Sequence, residues 1–206
     1  MKKIALTLIA ASCVVFSSCG KYSNKFASDF LMDIPTTQSF SSEQVKEDDL
    51  TKILTAGINC QSGMNAQPWH FSVIRNRDVL SNIAEEMQKN MPAGIPENVR
   101  KKDDISTAPV AIVISGKLSS EFDCALATQV MACEAGVLGY GTKILGSPNI
   151  VFHGEKKEEY KKLFKIPSNM ETVAVLLVGK DAGSKSDAVS SASLRKSFSE
   201  TVSVIE

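Results

Sequence analysis

The chain has 206 residues with 23 basic and 23 acidic side chains, so its formal net charge is zero. Hydrophobic residues make up 43% and charged residues 22%, which is typical of a globular protein and not of a disordered tail. Nucleic acid is not an expected partner, because phosphate contacts need a surplus of basic residues. The sequence has only two histidines, His70 and His153, which argues against a His-rich metal site. If the protein is an enzyme, we expect much of its chemistry to come from a bound cofactor.

The first twenty residues have the pattern of an export signal. Two lysines precede an apolar run over residues 4–16, which is too short for a permanent transmembrane helix. The run ends in Phe-Ser-Ser-Cys, which resembles a bacterial lipobox. This pattern predicts a signal peptide over residues 1–18, lipidation of Cys19 and a lipid-anchored protein of the cell envelope. The alternative is an ordinary signal peptide, in which Cys19 is incidental.

Removal of residues 1–18 takes two lysines away and leaves 188 residues, with 21 basic against 23 acidic side chains. The polar segment 19–33 predicts a tether between lipid and domain, although its phenylalanines also allow a short helix. The predicted domain covers residues 34–206. Three cysteines remain in it, which we interpret as small core residues: Cys60, Cys124 and Cys133.

The first half of the domain predicts two helices separated by a strand. Ser41 is the expected N-cap of the first helix, and Gln44 completes a capping box. The loop before the strand contains Gly63 and Pro68. In chain order, the predicted elements are a helix over 42–58, a strand over 71–74, a helix over 78–89 and a charged, lid-like loop over 90–104.

The second half contains the two most hydrophobic segments of the domain. Residues 110–114 and 172–178 are continuous apolar runs, as expected for strands that are buried on both faces. Residues 121–138 predict a helix rich in alanine and glycine, suited to a central position or a subunit interface. Residues 155–164 predict a solvated helix, residues 181–192 are rich in small polar residues, and the last residues regain an apolar pattern. The alternation of helices and strands predicts an α/β or α+β fold with one main sheet.

The most informative stretch runs from Cys60 to Phe71 and reads CQSGMNAQPWHF. Its polar side chains offer hydrogen bonds, and Gly63 lets backbone approach a flat ligand. Taken alone, this loop is a weak signal for a heteroaromatic ligand. Trp69, the only tryptophan, is more typical of a core anchor.

This stretch resembles the signature of the flavin-dependent nitroreductase family, P-S-x-x-N-x-Q-P-W-x-F. Gln61 stands at the first proline of that pattern. Residues 125–145 are similar to the family's long helix and its L-G-x-G turn, and residues 163–179 to its I-P segment and last core strand. The resemblance covers residues 34–206. The matching signature residues are Ser62, Asn65, Gln67, Pro68, Trp69 and Phe71.

The resemblance implies an α+β, nitroreductase-like fold with a central, mostly antiparallel sheet flanked by helices, in an intertwined homodimer. It implies one FMN at each of two sites built from both subunits. NAD(P)H would reduce the flavin, and a nitroaromatic, quinone or similar acceptor would take the electrons, with no side chain needed as a catalytic base. The implied cofactor-binding residues are Thr36, Gln38, Ser62, Asn65, Gln67, Gly141 and Arg195.

The chain departs from the family where the flavin phosphate is expected to bind. The family opens with R-x-S-x-[RK]-x-F, and alignment on Phe40 places Ile34, Thr36 and Gln38 at the three polar positions. The family's later K-x-R becomes Ser193 and Arg195. A charge-assisted contact is worth about 1.5–3 kcal/mol, so these losses predict weaker flavin binding unless the alignment is shifted by a few residues.

Two functions remain open besides a flavoenzyme. The chain could instead be a flavin-poor relative that binds a small molecule, or a structural lipoprotein of the cell surface. We expect His70 to be structural or to support the flavin loop, and His153 to be a surface residue.

Overall fold

The computed structural model describes residues 28–32, 34–183 and 195–205, apart from the side chains of residues 98, 99 and 102. Residues 28–32 are helical, and the chain divides into two units between Ile34 and Pro35. The predicted signal peptide, Cys19 and most of the predicted tether lie outside the described residues. Among the described residues, no helix combines the length and hydropathy needed to cross a bilayer.

The second unit consists of one sheet and the helices that cover it. Its strands are β1 (Trp69–Ile74), β2 (Val110–Lys117), β3 (Gly141–Leu145) and β4 (Met170–Gly179), and short 3₁₀ helices lie at Gly63–Asn65 and Ile105–Thr107. Its described helices are α1 (Glu47–Ile58), α2 (Arg77–Asn90), α3 (Glu97–Lys102), α4 (Glu121–Val137), α5 (Asn149–Phe152), α6 (Lys157–Leu163) and α7 (Phe198–Thr201).

The sheet is antiparallel throughout, with the strand order β1-β2-β4-β3. Strands β2 and β4 are the two apolar runs of the sequence, and they pair along their whole length, from Val110 opposite Val178 to Lys117 opposite Met170. Both faces of this central pair are covered, which is why the runs are apolar without alternation. Strands β1 and β3 are therefore the two edges. The predicted α+β fold with an antiparallel sheet flanked by helices is confirmed.

Helices cover both faces of the sheet and form two cores. Helices α1 and α4 pack on one face, where Ile53, Met131 and Leu176 are fully buried. Helices α2, α5 and α6 pack on the other face. There the ring of Phe152 meets Tyr160 and Phe164 edge to face, at centroid distances of 5.1 and 5.3 Å. Burial of large apolar side chains on both faces supplies most of the driving force for folding.

Residues 37–41 continue the sheet beyond its strands. The amide of Thr37 donates to Thr142 O at 2.9 Å, and the amide of Ser41 donates to Lys180 O at 2.8 Å. A Cβ atom on Gly141 would collide with Thr37 Oγ1 and lie 3.0 Å from Thr37 Cβ. Only glycine at position 141 therefore allows the two backbones to approach this closely.

The expected cap of the first helix is wrong. Helix α1 begins at Glu47, with Lys46 at the N-cap and no side-chain cap. Ser41 does not begin a helix, because its backbone amide pairs with Lys180 in an extended segment. Three acidic residues in the first turn of α1 instead complement the positive end of its dipole.

The predicted loop over residues 90–104 also differs from the structure. It contains α3, and Arg100 binds three backbone oxygens around it: those of Gln88, Pro92 and Ile95, at 3.4, 2.9 and 3.1 Å. The guanidinium of Arg100 therefore fixes the segment that the sequence predicts to be a lid.

Replacement of Gly141 by alanine tests the close approach to Thr37. We expect the free energy of unfolding to fall by about 1–3 kcal/mol, because the new methyl group overpacks a buried contact. Urea unfolding measures the change. Gly146→Ala is the matched control, since a Cβ there meets nothing within 4 Å. Thr37→Ala should rescue part of the loss in the double variant. Equal midpoints for Gly141→Ala and Gly146→Ala would contradict this packing.

Candidate functional site

The loop over residues 60–68, here called the β1 loop, has an unusual backbone. Met64, Asn65 and Gln67 have φ angles of 52°, 56° and 47°, in the left-handed region that non-glycine residues rarely adopt. Each such residue carries conformational strain, which persists only where surrounding contacts enforce it. Three of the four residues 64–67 are therefore strained, which marks the β1 loop as a candidate functional segment.

Two side chains hold the β1 loop in this shape. Ser62 Oγ accepts a hydrogen bond from the amide of Gln67 at 3.0 Å, and Asp123 Oδ1 accepts one from the amide of Gly63 at 3.1 Å. Gln67 Nε2 donates to Asn65 O at 3.3 Å, while the side chain of Asn65 is exposed. Ser62, Asp123 and Gln67 therefore shape the loop, and the side chain of Asn65 is left open to solvent. The contribution of Asp123, in the first turn of α4, is not evident from the sequence.

The second group of predicted site residues lies where β3 begins. We call residues 36–41 and 139–142 the β3 corner. Thr36 and Gln38 are both half-buried, and Gln38 Nε2 donates to Thr36 O at 3.0 Å. Thr37, which the sequence does not single out, is 1% exposed, and its hydroxyl has no hydrogen-bond partner among the described residues. A buried hydroxyl in this state is costly, so the β3 corner has an unsatisfied polar group beside Gly141.

Tyr140 fixes the β3 corner to helix α1. Its hydroxyl donates to Asp49 Oδ2 at 2.9 Å and accepts from the amide of Lys46 at 3.3 Å. The hydrogen bond from Tyr140 lowers the pKa of Asp49, and burial, followed by the interactions with Asp49, raises the pKa of Tyr140. Lys180 Nζ lies 4.2 Å from the centre of the Tyr140 ring and donates to Gly139 O at 3.1 Å. A cation therefore sits at this corner, although it is not one that the sequence motif predicts.

The remaining predicted residues do not join either group. Arg195 is exposed, next to the short helix α7. Ile34 belongs to the first unit of the chain, and Ser193 and Cys19 lie outside the described residues. The structure therefore assembles Thr36, Gln38 and Gly141 in one place and Ser62, Asn65 and Gln67 in another.

The two groups lie at opposite corners of the sheet. The β1 loop precedes Trp69, which pairs with Gly116 at one end of β2, whereas Gly141 pairs with Gly179 at the other end of β4. Three strand spacings separate the edges, about 14 Å, and the offset along the strands is about 27 Å. One small ligand cannot contact both groups within one copy of the chain.

The histidines have structural settings. His70 is half-buried in β1. His153 is exposed, as expected, and its Nε2 lies 3.0 Å from Thr172 O and 2.9 Å from Thr172 Oγ1. It thus links the end of α5 to β4.

The three described cysteines differ in how deeply they are buried. Cys124 is buried, but Cys60 and Cys133 are only partly buried, so the interpretation of all three as core residues is wrong for these two. Burial raises the pKa of the Cys60 and Cys124 thiols, which disfavours the reactive thiolate. The described residues also contain no group of His, Cys, Asp or Glu arranged to hold a metal ion.

Solved structures with this fold include flavoproteins. A nitroreductase with bound FMN from Desulfitobacterium hafniense superposes with a TM-score of 0.75 at 20% identity, covering 87% of this chain and 98% of the other. A nitroreductase with bound FMN from Bacteroides fragilis gives a TM-score of 0.69, also at 20% identity and the same coverage. At this identity the likeness establishes the fold.

Sequence comparison extends the likeness to the family. A relative from Archaeoglobus fulgidus is 30% identical over 145 residues, which are 68% of this chain and 76% of the relative. Another, from Methanothermobacter thermautotrophicus, is 30% identical over 161 residues, or 73% and 76% of the two chains. Both carry the name NADH dehydrogenase/NAD(P)H nitroreductase. The model of the nitroreductase family matches residues 35–180, a span that includes the β1 loop and the β3 corner, and the chain belongs to this family.

Proposed function

We propose that this protein is an FMN-dependent oxidoreductase that passes electrons from NAD(P)H to nitroaromatic, quinone or similar acceptors. The observation that carries the proposal is the family match over residues 35–180, which spans both groups of site residues. Two similar structures hold FMN, and two relatives are named for NAD(P)H-linked nitroreduction.

The described residues fit the ring of FMN better than its phosphate. Asn65 in the β1 loop and the unsatisfied hydroxyl of Thr37 beside Gly141 are suited to hydrogen bonds with the polar atoms at the edge of the uncharged flavin ring. Thr36 and Gln38 would add uncharged hydrogen-bonding groups, and Arg195 would supply a cation for the phosphate. When bound, FMN supplies the hydride and electron transfer. The chain's own residues bind it, orient it and exclude water from it.

The proposed enzyme is a homodimer whose sites combine residues of both subunits. The diagonal separation of the β1 loop from the β3 corner supports this, because only a second copy would bring a β1 loop next to a β3 corner. Helix α4 also presents an exposed apolar stripe at helical spacing, formed by Phe122, Leu126, Val130 and Val137. An apolar stripe of this length on a soluble domain is typical of an interface. The exposed apolar residues Phe198, Val202, Val204 and Ile205 support the same proposal.

A second function is a flavin-poor relative that binds small molecules without turnover. Two observations favour it: Gln38 carries no charge, and its amide already binds Thr36 O. The two functions differ in whether the chain retains FMN, which is directly measurable.

FMN uptake tests the proposed enzyme. We expect the purified chain to be yellow, or to quench the fluorescence of added FMN at micromolar concentration with one FMN per chain. Gln38→Arg should tighten binding about tenfold at low salt, because it adds a charge-assisted phosphate contact. The exposed Gln44→Arg adds the same charge outside the β3 corner and should change little. A colourless protein that takes up no FMN would reject the enzyme and favour the binding protein.

The oligomeric state tests the shared site. We expect light scattering to give the mass of two chains. Val130→Glu places a charge in the α4 stripe and should yield monomers that lose FMN together with the partner chain. Leu163→Glu is the control, since this exposed leucine lies on α6 instead. A monomeric wild type that retains FMN would exclude a site built from two subunits.

We also propose that the protein is exported and anchored through lipid on Cys19. The sequence pattern before Cys19 supports this. After expression in a bacterium, we expect the protein in the detergent-extracted membrane fraction, with a lipid-modified N-terminal cysteine by mass spectrometry. Cys19→Ser should remove the modification and release the protein into the soluble fraction. An unmodified wild-type N-terminus in the soluble fraction would be evidence for an ordinary signal peptide.

A further inference from the structure

The β1 loop is tied to the rest of the domain by the turn that leads from β2 into α4. At the end of the loop, Pro68 O accepts a hydrogen bond from the amide of Lys117 at 3.1 Å. Near its start, the amide of Gly63 donates to Asp123 Oδ1 at 3.1 Å. The first contact joins two backbones, so it does not depend on the side chains involved. The second depends on a side chain, and Asp123 is therefore the residue whose identity decides how the loop is held.

The turn that carries Asp123 is itself firmly packed. The amide and the hydroxyl of Ser120 both donate to Lys117 O, and the amide of Cys124 donates to Ser120 O at 2.9 Å. Ser120 and Cys124 are buried, and a Cβ atom on Gly116 would lie 2.5 Å from a side-chain atom of each. The first turn of α4 thus packs directly on β2. A carboxylate on such a support has a defined position, which is what a preorganised site requires.

The strained part of the β1 loop has no other hydrogen-bonded anchor among the residues that the structure describes. Its remaining hydrogen bonds lie within the loop, such as those from the amides of Gln67 and Asn65 to Ser62, at 3.0 Å each. Bonds of this kind move with the loop, so they fix its shape but not its place. Left-handed backbone persists only where surrounding contacts enforce it, and the release of Gly63 should therefore let residues 64–67 relax.

Asn65 lies two residues after Gly63, and its exposed side chain is one of the predicted flavin ligands. Its position therefore depends on the anchor at Gly63. We propose that Asp123 is a positioning residue of the proposed flavin site, which holds the β1 loop in its binding conformation through the Gly63 amide. The proposal rests on the function proposed above. A loop that is held before the ligand arrives loses less conformational entropy on binding, so the anchor should raise flavin affinity.

The same turn provides a matched control residue. Glu121 also lies in the first turn of α4, where either carboxylate complements the positive end of the helix dipole. Glu121 is exposed, and the hydrogen bond to the β1 loop is made by Asp123 instead. Removal of Glu121 therefore costs a similar helix-end interaction but leaves the loop anchored. The difference between the two variants isolates the anchor.

Amide exchange, measured by NMR on the purified chain before FMN is added, tests the anchor itself. We expect the Gly63 amide to exchange about three- to tenfold faster in Asp123→Ala, because its acceptor is lost. Asp123→Asn keeps a side-chain oxygen that can accept the bond, so its Gly63 amide should exchange within about twofold of the wild-type rate. Glu121→Ala should leave this amide unchanged. Unchanged exchange in Asp123→Ala, or equal acceleration in Asp123→Ala and Glu121→Ala, would overturn the proposal.

FMN titration of the same variants tests the link to binding. Asp123→Ala should weaken FMN binding about three- to tenfold, Asp123→Asn should restore most of the loss, and Glu121→Ala should bind as the wild type does. Similar unfolding midpoints for Asp123→Ala and Glu121→Ala would separate positioning from general stability. Unchanged FMN affinity in Asp123→Ala would overturn the positioning role and leave the proposed enzyme intact. A wild type that takes up no FMN would reject the proposed enzyme and the flavin role of Asp123 together.

Discussion

The antiparallel pairing of β2 with β4 is the interaction on which the rest of the structure depends. It joins Val110–Lys117 to Met170–Gly179 over their full lengths and buries both faces of the pair. Because these strands take the centre, β1 and β3 become the edges of the sheet, and the β1 loop and the β3 corner lie at those edges.

This arrangement separates the two groups of site residues by more than a small ligand can span. In the proposed dimer, the strain of the β1 loop and the unsatisfied hydroxyl of Thr37 would have a common explanation. Each group would be organised before binding and completed by the partner chain. The apolar stripe of α4 would provide the surface on which two copies meet, and the energy of its burial would stabilise both sites together.

The β3 corner contains no charged side chain. Gln38 is uncharged and donates to Thr36 O, Lys180 is held against the Tyr140 ring, and Arg100 is committed to backbone oxygens. The zero net charge of the sequence thus conceals a lack of charged side chains at the β3 corner itself. In the proposed enzyme, affinity for the flavin phosphate would depend on this local lack of positive charge.

The sequence by itself determined the central strands, the long helices and the signature of the β1 loop. Continuous apolar runs, helical periodicity and the Pro68-Trp69 pair are local properties that can be read without the fold. It did not reveal β3: Gly141–Leu145 contains a glycine and Lys143, and it becomes a strand only by pairing with β4. Nor did it reveal that Ser41 pairs with Lys180 instead of capping a helix, or that Arg100 fixes the supposed lid. The diagonal placement of the site residues was decided by the strand order and register, because residues distant in sequence meet only through tertiary contacts.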